Sequence, residues 1–161
     1  KKIGIMGFSA GGHLALMTAL KTPAQPKPED EVDRGIARPD FMILGYPVAV
    51  ARPPLINAGS FINLMGDNAS EERKNAYSAD LLVKAGSPPA FFVHADNDPS
   101  VPVGNSIVMK EALERSGVSA ELLRHPTGGH GFGMGPAAGY LDAPDWMPKL
   151  QDWMKRQGLL G

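Results

Sequence analysis

Apolar and polar positions fall in blocks along the chain that can be read as elements. Ile3-Gly4-Ile5-Met6 is a short apolar run closed by Gly7, and from Gly11-Gly12 a helical stretch runs to about Leu20, so the chain opens as strand, tight turn and helix. Asp40 to Tyr46 is a second run of strand length, stopped by Pro47, and Ala90 to His94 is a third, introduced by Pro88-Pro89. Thr22 to Pro39 carries Pro23, Pro26 and Pro28 beside the cluster Glu29-Asp30-Glu31. No regular helix interior holds such prolines, so a surface loop within one domain is expected there. Asn57 to Gly66 is ambiguous, whereas Ser70 to Leu82 reads as a helix, with Ser70 as N-cap and acidic residues in the first turn. Asn105 to Ser116 is amphipathic through Ile107, Val108, Ala112 and Leu113 and stops at Gly117; Ala120 to Arg124 is a short fourth strand. A last helix from about Asp145 to Arg156 places Trp146, Leu150 and Trp153 near one face before Gly158. No internal repeat interrupts this order. Strands alternating with helices imply right-handed crossovers and a mainly parallel sheet, whose chemistry collects at the carboxyl ends of its strands.

Composition narrows the class. The 161 residues are 43% hydrophobic and 20% charged, with 16 basic against 17 acidic side chains. That is a single soluble globular unit over residues 1–161, neither disordered nor a coiled coil. Charge is spread evenly, leaving no basic stripe for nucleic acid or anionic lipid, and a small-molecule partner is expected instead. The longest apolar run, Leu14 to Leu20, is broken by Thr18 and falls well short of the roughly eighteen residues of a membrane helix. With no cysteine in the chain, disulfides, thiolate metal sites and cysteine nucleophiles are excluded, so any nucleophile is an oxygen or an amine. The chain begins Lys1-Lys2-Ile3, without Met, and runs straight into an apparent buried strand. An N-terminal portion is therefore expected to be missing, and with it any targeting signal, which leaves localisation open.

Gly7-Phe8-Ser9-Ala10-Gly11 fits G-x-S-x-G, the nucleophile elbow, in the required setting of a strand before and a helix after. The turn strains the serine, so small residues are expected two positions either side, at Gly7 and Gly11. Ser9 then projects above the sheet, and the Ala10 backbone N–H, at the start of a helix, is the candidate donor to an oxyanion. The plainer alternative is an ordinary Gly/Ser turn. Dinucleotide binding fits worse, because Met6 and Ser9 occupy places that G-x-G-x-x-G reserves for glycine, and the next strand closes with Tyr46-Pro47 instead of an acidic residue.

A serine nucleophile needs a base, and the base needs an orienting group. Of the four histidines, His130 lies in a glycine-rich loop after the fourth strand and is the favoured base. His94 and His125 end strands and are expected to be satisfied locally, while His13, in the first turn of the first helix, suits packing or substrate contact. For the carboxylate, the loop after the third strand offers Asp96 and Asp98; Asp98 is chosen, and Asp96 is read as a solvated turn residue. Phe8, Phe132 and Met134 are candidates to line an acyl pocket with His13, although aromatic and Met side chains more often pack. A metal site built from His94, Asp96, Asp98 and His130 lacks any recognised ligand spacing, so neither metal nor other cofactor is expected.

The order Ser9, Asp98, His130, together with IGIMGFSAGGHLA (3–15), RPDFMILGYPV (38–48), NLMGDNASEE (63–72), PPAFFVHADNDPSVPVGNS (88–106), GGHGFG (128–133) and WMPKLQDWMKRQGLL (146–160), resembles the α/β-hydrolase superfamily, and within it the small acetylxylan-esterase-like carboxylesterases. The resemblance implies an α/β-hydrolase fold, a mostly parallel sheet flanked by helices, of which only the C-terminal half, about four strands, is here. It implies Ser9 as nucleophile, His130 as base, Asp98 as acid and Ala10 as one oxyanion donor, acting on short acyl esters of sugars. The upstream HGGG-like loop that supplies a second donor in this superfamily is not found. The first strand is thus expected to expose an unpaired edge, and to associate with the missing N-terminal half or with itself. Two other outcomes are a non-catalytic fragment acting only by association, and a prolyl-oligopeptidase-like peptidase, for which Glu71-Glu72 comes nearest to the acidic pair needed to grip a peptide terminus but reads as the acidic first turn of a helix.

Overall fold

The computed structural model describes residues 2–21 and 38–160; the expected loop from Thr22 to Pro39 lies almost wholly outside them. Four strands, β1 (Gly4–Phe8), β2 (Phe41–Gly45), β3 (Ala90–Ala95) and β4 (Ala120–His125), form one sheet in the order β1-β2-β3-β4 with every pair parallel. The helices are α1 (Ser9–Leu20), α2 (Ala58–Met65), α3 (Glu71–Ala76), α4 (Gly104–Arg115) and α5 (Met147–Arg156).

Because successive strand residues point to opposite faces, the central strands divide their side chains between two cores. Met42, Leu44, Ala90 and Phe92 pack with Leu16 of α1 and Met109 and Leu113 of α4. Phe41, Ile43, Phe91 and Val93 pack on the other face with Trp146 and with Leu150 and Trp153 of α5. Every residue of β2 and β3 is buried, which is why these strands read as unbroken apolar runs. At the end of the sheet β1 pairs, among the described residues, only with β2, and Ile3 and Met6 are 71% and 45% exposed. No helix among the described residues is long and apolar enough to cross a membrane.

Beyond shifts of a residue or two at other element ends and a 3₁₀ turn at Gly135–Ala138, three differences from the sequence reading bear on the site and its surroundings. Helix α1 begins at Ser9, two residues ahead of Gly11. The ambiguous segment is α2, started by the Asn57 side chain accepting the Ser60 N–H at 2.8 Å. The helix expected over Ser70 to Leu82 stops at Ala76 and gives way to a single 3₁₀ turn, Ala79–Leu81, although Ser70 does cap its start by accepting the Arg73 N–H. Tertiary contacts break it: the Ser78 hydroxyl accepts from the Ala51 N–H and donates to Asp80, and the Ala79 N–H donates to the Ala49 carbonyl. Those bonds draw the chain out of the helical path.

Candidate active site

Three carboxyl-end loops converge at one rim of the sheet. Ser9 follows the last residue of β1 with φ 53, a left-handed conformation that costs a non-glycine residue energy and turns its side chain up out of the sheet. The turn is tight: a Cβ on Gly7 would sit 2.2 Å from the Gly11 carbonyl oxygen. Gly11 itself faces open space among the described residues, so the expectation that it must be small does not hold. Gly12 meets the steric limit instead, since a Cβ there would lie 2.7 Å from the Pro47 Cβ. Beside it, the Val48 N–H donates to the Ser9 carbonyl at 3.1 Å and ties the elbow to the segment after β2.

Asp98 lies just past β3 with its side chain fully buried. Its Oδ1 accepts the N–H groups of Ser100 and Val101, both at 2.8 Å, and its Oδ2 faces the His130 Nδ1 at 2.7 Å and the His94 Nε2 at 3.3 Å. Burial by itself pushes the carboxyl upward; the hydrogen bonds from His94, the Val101 amide, His130 and the Ser100 amide outweigh it and hold the group down at about 2. An ionised carboxylate only accepts, so the His130 Nδ1–H donates to it, the neutral imidazole keeps its lone pair on Nε2, and the Ser9 hydroxyl, at 2.8 Å, donates to that nitrogen. The result is a continuous chain of hydrogen bonds from serine to histidine to aspartate.

His130 is presented by a loop whose neighbouring glycines, Gly129 and Gly131, have φ 60 and 84, values that side-chain-bearing residues seldom adopt. Asn97 accepts the Gly129 N–H at 2.9 Å, linking this loop to the aspartate loop. Tyr46 supports it from below. The phenol oxygen accepts the Gly133 N–H at 2.9 Å, and its ring lies edge-on to the His130 imidazole at 4.9 Å and to Phe132 at 4.6 Å. With φ 34, Tyr46 is, among the described residues, the other non-glycine residue in the left-handed region. Sequence reasoning treated it only as the end of a strand; the Gly-Tyr-Pro stop after β2 is the signal that could have pointed to it.

The remaining candidates separate. Phe132 is fully buried against Tyr46, so it packs beneath the histidine loop, the alternative weighed for it beside an acyl-pocket role. Phe8 is half-buried against Tyr46 and Trp146, and Met134 is exposed. His13 is buried, edge-on to Phe61, with its Nε2 against the Tyr77 carbonyl at 2.8 Å; burial lowers its pKa and the bond to Tyr77 partly opposes this. It borders an apolar hollow of about 390 Å³ with Ala10, Leu14, Met17, Leu64 and Tyr77. A larger hollow of about 690 Å³, bordered by Asn97, Thr127 and Tyr140, includes none of the three linked side chains in its wall. His125 is satisfied locally by the Thr127 carbonyl at 2.8 Å, and His94 by Ser106 and Val101. Asp96 pairs with Arg124 at 2.8 Å, so of the four residues weighed as a metal site only His94, Asp98 and His130 meet, bound to one another through the Asp98 carboxylate, and no cluster that could hold a metal ion occurs among the described residues. Glu71 and Glu72 lie in the first turn of α3, exposed, with Glu71 accepting from Lys74.

A parallel sheet with a strained serine between its first strand and helix, linked to a histidine and an aspartate from later loops, defines a class. Residues 1–134 match the α/β hydrolase fold family, and the chain belongs to it. It is 34% identical over 157 residues to an acetylxylan esterase of Xylanibacter ruminicola, a match covering 95% of this chain and 30% of that protein. Among solved structures it resembles the acetyl ester-xyloside bifunctional hydrolase of Caldicellulosiruptor lactoaceticus, with a TM-score of 0.89 and 35% identity over 98% of this chain and 57% of the other. A carboxylesterase of Lactobacillus plantarum gives a TM-score of 0.75 at 26% identity, over 99% of this chain and 60% of the other. The chain thus spans about a third of the curated relative and somewhat over half of the solved ones.

Proposed function

We propose that this chain carries the nucleophilic machinery of a serine esterase that hydrolyses carboxylic esters, with short acyl groups on carbohydrates, acetate above all, as the substrate class. The observation that carries the reading is the unbroken path from the Ser9 hydroxyl to the His130 Nε2 at 2.8 Å and from the His130 Nδ1 to Asp98 at 2.7 Å. The substrate class is supported by the names of the acetylxylan esterase and the acetyl ester-xyloside hydrolase that the chain is similar to.

In this reading the Ser9 Oγ attacks the ester carbonyl carbon as its proton passes to the His130 Nε2, and the carbonyl electron pair moves onto oxygen. The Ala10 N–H, a first-turn amide of α1 with no partner inside the helix, receives that oxyanion in the favourable field of the helix start. Collapse breaks the bond to the alcohol, which leaves with the proton from Nε2 and an acyl group on Ser9. Water then attacks with His130 again taking a proton, the bond between the acyl carbon and the Ser9 Oγ breaks as Nε2 returns that proton to Oγ, and the carboxylic acid departs. Asp98 stays ionised throughout, fixing the tautomer and stabilising the imidazolium. His13, at the hollow beside Ala10, and the exposed Met134 are the candidates for substrate contact.

A partner along β1 is part of the same reading: among the described residues the strand is paired on one side only, and Ile3 and Met6 are exposed. A further segment of chain or a second copy would cover that edge. The test of the activity is a stopped-flow burst with p-nitrophenyl acetate. One p-nitrophenolate per chain, absent in Ser9→Ala, is expected; a burst that survives Ser9→Ala overturns the reading.

A further inference from the structure

His94 is the last polar side chain of β3, has no exposed surface, and takes no part in the proton path just described. Both of its nitrogens are engaged. Nδ1 lies 2.8 Å from the Ser106 hydroxyl of α4, while Nε2 lies 2.9 Å from the Val101 carbonyl and 3.3 Å from the Asp98 Oδ2. A carbonyl and a carboxylate can only accept, so the proton of a neutral imidazole belongs on Nε2, and Ser106, which can donate, supplies its hydrogen to Nδ1. This leaves no buried polar atom of the ring without a partner.

The placement matters because the two groups that His94 Nε2 faces belong to one turn. The Val101 N–H donates to Oδ1 of Asp98, and the Val101 carbonyl accepts from His94, so the imidazole closes a ring that runs from the carboxylate through residues 98–101 and back. Oδ2, the oxygen that holds His130, is thereby within reach of two imidazoles, at 2.7 Å from His130 and 3.3 Å from His94. Resting on the reading of Ser9, His130 and Asp98 given above, we infer that His94 is a positioning residue: its Nε2–H, locked by Ser106 on the far side of the ring, holds the Asp98 turn so that Oδ2 stays aimed at the His130 Nδ1.

Two readouts test this, and neither needs turnover. In the intact protein labelled with ¹⁵N-histidine, long-range ¹H–¹⁵N correlations are expected to show His94 as the Nε2–H tautomer; an Nδ1–H tautomer overturns the inference without any substitution. Two variants then move the donor. The amide nitrogen of His94→Gln reaches the place of Nε2, whereas that of His94→Asn reaches only the place of Nδ1. The Gln variant is expected to keep the downfield His130 Nδ1–H resonance, and the Asn variant to lose it to exchange with water. Where ester turnover is measured as well, Asn lowers kcat by about tenfold or more with KM within about threefold, and Gln recovers most of the loss. If Gln and Asn behave alike in the His130 resonance while both stay folded, His94 is only a core residue and the inference fails. An unreactive Ser9 would count against the esterase reading alone, since the tautomer and the resonance are read in its absence.

Discussion

Ser9 and Asp98 face the same imidazole from opposite sides, yet they are held by different means. The elbow around Ser9 is set by steric limits: the left-handed turn leaves no room for a Cβ on Gly7, and Gly12 is pressed against Pro47. The loop around Asp98 is set by polar contacts, with two backbone amides on one carboxylate oxygen and two histidines around the other. A steric constraint fails when volume is added, and a hydrogen-bonded one fails when a donor or acceptor is removed. The two halves of the site therefore have distinct weak points.

The largest effect is expected from removing the acceptor. Asp98→Asn preserves shape but turns a donor toward the His130 Nδ1, which favours the wrong tautomer, and should lower kcat by about 10⁴-fold while labelling of Ser9 slows in parallel. Next comes added volume: Gly7→Ala places a Cβ 2.2 Å from the Gly11 carbonyl, and a loss of about 1–3 kcal/mol in chemical denaturation should accompany loss of reactivity at Ser9.

The Asp98 carboxyl also sets a pH dependence. Its folded pKa of about 2 lies below the ordinary 3.8, so the folded state binds this proton less readily than the unfolded one. The stability it contributes, on the order of 2 kcal/mol from that difference, is complete above the unfolded value and is lost as pH falls from about 4 toward 2. Urea unfolding of the wild type and Asp98→Asn should therefore converge over that window, and a gap that stays constant down to pH 2 would contradict the hydrogen-bonded account. A smaller effect is expected at Tyr46→Phe, which keeps the ring against His130 but strands the Gly133 N–H, a loss of about 1 kcal/mol. Smallest of all is Gly11→Ala. With open space at that position and an ordinary helical backbone, it should stabilise the protein by about 0.5–1 kcal/mol and leave the site intact, in contrast to the same change four residues earlier.

How far the sequence reveals this arrangement depends on the range of the forces involved. The strands β2 and β3 are legible because both their faces are buried, and the elbow because its glycines and its strand-to-helix setting are local. The choice of Ser9, Asp98 and His130 follows from chain order and loop position, and the structure brings the three within hydrogen-bonding distance. What escapes is tertiary. Helix α3 ends at Ala76 because Ser78 and Ala79 bond to residues 49–51, far back in the chain. Helix α2 depends on one asparagine cap within a mixed stretch containing Gly59 and Asn63. Tyr46 reads as a strand-end aromatic until its hydroxyl is seen to hold Gly133, 87 residues on. Gly11 shows the reverse error, since a motif position can be glycine without the local packing requiring it.

The proposal stands or falls on which atom reacts. Incubation with a serine-directed fluorophosphonate, followed by proteolysis and mass spectrometry of the adduct, should place a single label on Ser9, with labelling lost in His130→Ala and strongly slowed in Asp98→Asn. A label on another residue, or equal labelling of Ser9 with and without the His130 imidazole, would contradict it.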